Sequence, residues 1–219
     1  MTTSEHADFP LDEEQCAALR RELHRVVWEG RTDALPSAHP NDDPNVSAAR
    51  LFAEAPNSIL VLSRTVCVEL ANQWRMGTDT EAILDRILIF IAYLEARDAI
   101  PTLLALAESM KPAALDVRTL CIRTLACFAD HPEVETLLVS ELTEPKHAAV
   151  CFRTLCVHNP PKAAELFPLF LEIMHPSALL LASILRGIPE GTRAQFVETV
   201  RPFPVALAAL TEAGFRPAI

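Results

Sequence analysis

The chain has 219 residues, half of them hydrophobic and 22% charged, with a formal net charge of −10, a mixture that suits one globular domain burying roughly 70% of its unfolded surface. The acidic excess repels phosphate, so a broad nucleic-acid surface is disfavoured and a basic protein partner is favoured. No apolar run approaches the ~20 residues a bilayer-spanning helix needs, and the six Cys lack a disulfide framework.

The start, M-T-T-S-E-H-A-D-F-P, carries neither the basic residues nor the apolar stretch of a secretory signal, so a soluble cytoplasmic chain is expected, with no membrane contact. Only five Gly stand beside seventeen Pro. That ratio fits helices with abrupt ends, because Pro is accepted in a first turn but not in a helix interior. The alternating pattern of strands is missing, and the expectation is an all-α fold.

The first helix is expected from Asp12. Asp12 and Gln15 have the spacing of a capping box, Leu19, Leu23, Val26 and Val27 form an apolar stripe, and Gly30 ends the segment. Residues 31–46 hold three Pro and no periodic apolar pattern, which predicts a mobile loop. A partner-binding arm that orders on contact is the alternative. Further helices are expected at 47–55, 57–75, 79–97, 100–110, 113–129, 133–143, 146–157, 161–174, 177–187, 190–200 and 203–213, with a second capping box at Thr78 and Glu81. Residues 1–55 would form an N-terminal helix, loop and capping helix, and 56–219 the repeat domain, together one compact domain.

A repeat organises the later helices. Leu125, Leu155 and Leu185 stand thirty residues apart; C-I-R-T-L-A-C at 121–127 lies over C-F-R-T-L-C-V at 151–157 and, more loosely, over L-A-S-I-L-R-G at 181–187. F-I-A-Y-L-E-A at 90–96 fits the same frame with one extra residue. A period of this length describes helix pairs that bury their apolar faces only by stacking.

The segment 100–130 resembles a HEAT repeat, in the short HEAT-like form of phycobilisome-lyase relatives. The resemblance lies in I-P-T-L-L-A-L on a first helix and D-V-R opening a second that runs through small and apolar residues to Asp130. It covers about 90–200 and implies a right-handed α-solenoid of antiparallel helix pairs, armadillo-like in outline. The copies are degenerate, since the slot of Arg118 becomes Ala148 and Ala178. Such proteins are usually scaffolds that bind a protein partner through their inner, concave helices.

Candidate chemistry is sparse. Cys121 and Cys151 share a slot with Phe90 and Leu181, the signature of a core position. Cys127, His131, Cys156 and His158 would lie at the same ends of two copies and offer a weak alternative as a zinc set, although no local ligand pair supports it. No nucleophile elbow, zinc-protease motif, P-loop or dinucleotide fingerprint occurs, so no cofactor and no enzyme is expected.

The arginines are the stronger lead. Arg123 and Arg153 share a slot and would stand about 10 Å apart on parallel stacked helices, able to engage carboxylates, with Thr119 beside Arg123 and Arg118 on the same helix. The competing reading pairs them with internal acids such as Asp116 or Glu144. Trp74 and Trp28, each near a helix end, either close the core edge or anchor a partner.

The leading expectation is therefore a non-catalytic scaffold for a protein partner. An acidic immunity- or inhibitor-type protein that masks a basic toxin or nuclease is one alternative. A HEAT-like alkylpurine DNA glycosylase is another, disfavoured by the lack of a cationic groove.

Overall fold

A computed structural model describes residues 10–31, 43–76, 81–109 and 115–215. Among them are twelve α-helices and no strand. The Thr78 box and most of the 31–46 loop lie outside the described residues. The chain forms two compact units, divided between Thr124 and Leu125.

The first unit contains α1 (Glu13–His24), α2 (Pro44–Ala53), α3 (Asn57–Met76), α4 (Glu81–Tyr93), α5 (Ile100–Ser109) and all but the last residue of α6 (Leu115–Leu125). The Asp12 box forms in full: the Asp12 carboxylate accepts from the Gln15 amide at 2.8 Å, and the Gln15 side chain accepts from the Asp12 amide at 3.0 Å. Its value lies in satisfying two donors the helix would otherwise leave orphaned. After α1 the chain widens into a π-helical turn over Arg25–Glu29, which buries Val26 and Val27 and ends at Gly30 with φ 68°. The left-handed backbone there is the reason for glycine. The Val27 carbonyl, near the end of this turn, accepts a 3.3 Å hydrogen bond from Arg86 of α4.

The helix expected at 79–97 is shorter. α4 ends at Tyr93, Glu95 enters the left-handed region at φ 51°, and a single 3₁₀ turn over Arg97–Ala99 leads into α5. Likewise, the helix expected at 113–129 becomes α6 followed by a 3₁₀ turn over Ala126–Phe128.

Residues thirty apart touch in this unit. The Arg64 guanidinium of α3 donates to the Leu94 carbonyl, and Thr102 of α5 donates to the Asn72 side chain of α3 at 2.8 Å. Helix α3 therefore packs on α5 one helix pair later in the chain.

The second unit contains α7 (Pro132–Glu141), α8 (Pro145–His158), α9 (Pro160–Met174), α10 (Ala178–Arg186), α11 (Glu190–Val200) and α12 (Pro204–Glu212). Four of these begin on Pro, whose missing N–H costs nothing at a first turn. Asn159 and Ser177 cap α9 and α10 by accepting from Lys162 and Leu180 amides, each at 3.2 Å. Pro168 sits inside α9 and removes one interior hydrogen bond.

Helix α8 packs on α7, α9, α10 and α11; α10 packs on α12, and α9 on α11. At the centre, Phe152 stacks on Phe170 with ring centroids 4.2 Å apart and on Phe167 at 5.2 Å, while Phe196 meets both Phe152 and Phe167 edge-on. All four rings are fully buried.

Candidate functional site

Burial follows the repeat. Cys121, Cys151 and Leu181 are buried, as is Phe90 in the preceding copy, and Leu125, Leu155 and Leu185 are completely so. Two positions after each buried Cys or Leu, the slot of Arg123, Arg153 and Ser183 is exposed. Alternation of this kind follows from helical geometry. Residues four apart share the core face, and the slot between them turns outward.

The five expected partner-binding residues separate into two groups. Arg118 is buried, and its Nε–H donates to the Ala107 carbonyl near the end of α5 at 3.1 Å. Arg64 treats Leu94 in the same way and Arg86 treats Val27, so this unit uses arginines to close helix ends across tertiary contacts. Trp74 is also buried, 7% exposed, on the core side of α3. Burial takes Arg118 and Trp74 out of any surface that meets a partner. Thr119 is half-buried, and Arg123 is exposed in the first unit.

Arg153 is exposed on α8 in the second unit. Its stem lies across the end of α10, where a Cβ added to Gly187 would stand 3.4 Å from Cδ and 3.5 Å from Nη1 of Arg153. Gly187 therefore allows the Arg153 side chain to rest against the end of α10. Neither Arg153 nor the exposed Arg186 bonds to a described acid.

The suggested zinc ligands do not assemble. Cys156 is buried, Cys127 and His158 are exposed, and among the described residues no three His, Cys, Asp or Glu side chains are placed to hold a metal ion. His131 precedes α7 with its Nδ1 buried and unbonded.

All six Cys are free thiols. Burial lifts the Cys121 thiol from 9.0 to about 12 and pushes Cys67 and Cys156 further up. A folded-state pKa raised in this way protects stability below pH 9.0 and withdraws it as pH climbs toward about 12. A thiol-reactive chromophore is expected to label Cys16 and the exposed Cys127 in the native state. The remaining four should label only on unfolding. Rapid native labelling of all six would contradict the buried slots.

One buried polar pair has no counterpart in the sequence reading. Glu141, at the end of α7, meets Nδ1 of His147, in the first turn of α8, at 2.8 Å. His147 is fully buried and Glu141 is 4% exposed. The pair clips the α7–α8 hairpin. Glu and His six apart across a Pro-started helix give no recognisable spacing, so nothing in the sequence pointed to it.

No family model matches the chain, and neither a curated protein nor a solved structure matches it. Among the described residues no helix is long and apolar enough to cross a membrane.

Proposed function

We propose that the chain is a non-catalytic helical-repeat scaffold, a HEAT-like α-solenoid that binds a protein partner through the exposed slots of its second helices. The observation that carries this reading is the alternation along the repeat frame: one slot is always interior, and the slot two residues on, at Arg123, Arg153 and Ser183, is always exposed. A preorganised helical face loses little freedom on docking, which favours protein recognition without a deep pocket.

Affinity purification with quantitative mass spectrometry tests it. The wild-type chain is expected to retain a specific protein that Arg153→Glu loses by about tenfold or more, the loss expected when one charge-assisted contact becomes repulsive. Equal recovery with both chains overturns the reading.

The acidic-inhibitor version draws on a different observation: residues 1–57 alone hold eleven acids against five bases. Long-range attraction of a basic partner falls as salt screens it. Under that version the retained protein is basic and is released by salt.

A further inference from the structure

Side chains three residues apart are neighbours on a helix surface, and an acid and a base at that spacing tend to pair. Glu22 and Arg25 do so at 2.7 Å, Lys162 and Glu165 at 3.0 Å, and Glu198 and Arg201 at 3.5 Å. Glu190 and Arg193 of α11 have the same spacing, in the same order as two of those pairs, and do not meet. Among the described residues neither side chain makes an ion pair or a hydrogen bond.

The Arg193 guanidinium lies instead over the ring of Phe215, 5.7 Å from its centroid. The end of α12 sets that ring in place. Gly214 turns the chain at φ 90°, its amide donates to the Thr211 carbonyl at 3.1 Å, and the Phe215 amide donates to the Leu210 carbonyl at 2.8 Å. These two bonds form a Schellman motif, and the left-handed turn at its centre needs glycine.

Between α11 and this turn is a cleft of about 350 Å³. Its α11 side is a single helical face, because Glu190, Arg193, Ala194 and Val197 fall at i, i+3, i+4 and i+7. Ala194 and the buried Val197 make that side apolar at its centre, and Phe215 lines the cleft from the other side. The cleft thus holds an acid and a base apart around an apolar wall. Glu198 also lines it, but is engaged by Arg201.

Charge complementarity decides what fits. A plain anion would meet Arg193 and be repelled by Glu190, and a plain cation would leave the guanidinium without a partner. We propose that this cleft binds a free α-amino acid with an apolar side chain. The ligand's carboxylate accepts two bonds from Arg193, its ammonium donates to Glu190, and its side chain lies on Ala194, Val197 and Phe215. The site uses none of the repeat slots and does not depend on the protein-binding reading.

The probe is L-phenylalanine, titrated into the full chain by ligand-observed NMR. Two halves of it are run alongside: 3-phenylpropanoate, which lacks the ammonium, and 2-phenylethylamine, which lacks the carboxylate. The amino acid is expected to bind about tenfold tighter than either half, and Glu190→Gln and Arg193→Gln each to weaken it about tenfold. Glu190→Gln should leave 3-phenylpropanoate bound as tightly as before or more so, a crossing that general loosening of the fold would not produce. Glu190 is exposed and Arg193 half-buried, and unchanged circular dichroism checks that both variants fold.

Absence of phenylalanine binding at about 10 mM overturns the proposal. So does equal binding of the amino acid and either half, or binding indifferent to both substitutions. Capture of a protein by the wild-type chain and its loss with Arg153→Glu are read separately, so failure of the cleft leaves the scaffold reading standing.

Discussion

Replacing Glu141 with Ala is expected to cost about 3–5 kcal/mol, because the fully buried His147 loses its 2.8 Å carboxylate partner. Exposed pairs such as Lys162–Glu165 at 3.0 Å should contribute under ~1 kcal/mol, since solvent screens them and long side chains lose freedom. Glu141→Gln, which keeps an oxygen acceptor of the same shape, should recover part of the loss. Replacing both members with apolar residues of similar volume should be milder than removing either alone, because neither member then faces the other's vacated place. Urea titration of the four variants measures the series. A Glu141→Ala midpoint equal to wild type would show that the pair is not closed in the folded protein.

Phe152→Ala should be of similar size, about 3–5 kcal/mol. Phe152 is the common neighbour of Phe167, Phe170 and Phe196, and its ring joins α8 to both α9 and α11. Truncation leaves a cavity that three large rings on separate turns close only partly, and it forfeits their stacking as well as the transfer energy of the ring. At ~4–8 °C per kcal/mol for a unit of this length, the melting midpoint should fall by well over 10 °C. Phe152→Leu, which retains most of the apolar volume, should cost markedly less. A Phe152→Ala chain that melts within about 2 °C of wild type would contradict the cluster.

Much of the secondary structure was legible because the punctuation is local. Pro132, Pro145, Pro160 and Pro204 each open a helix, Asp12 and Gln15 form their box, and Gly30 takes the left-handed end, whereas Pro44, inside the segment expected to be loop, opens α2 three residues before the expected start at 47. The repeat was equally legible where identical residue types recur, at Cys121 and Cys151 or Leu125, Leu155 and Leu185. Slots defined by shape alone were harder. Arg64 of α3 reaches the Leu94 carbonyl just past α4, and Thr102 of α5 reaches Asn72 of α3, and no residue type repeats there.

The candidate site was only partly legible for a related reason. Arg118 and Arg123 look alike in sequence, but one lies five positions after the other, and helical rotation turns Arg118 inward. Its carbonyl acceptor, Ala107, belongs to another helix, so the bond that withdraws it from the surface is tertiary.

The proposed repeat requires Arg153 and Ser183 to occupy equivalent slots of stacked helices in the second unit, and the distance between them tests it most directly. Spin labels at Arg153→Cys and Ser183→Cys, in a chain with Cys16 and Cys127 replaced by Ser, report across α8 and α10 in the second unit. Stacked copies place the two backbones about 10 Å apart, so strong dipolar broadening is expected in continuous-wave spectra. A narrow distribution centred beyond about 25 Å would contradict the frame, because no pair of packed helices separates equivalent slots so widely.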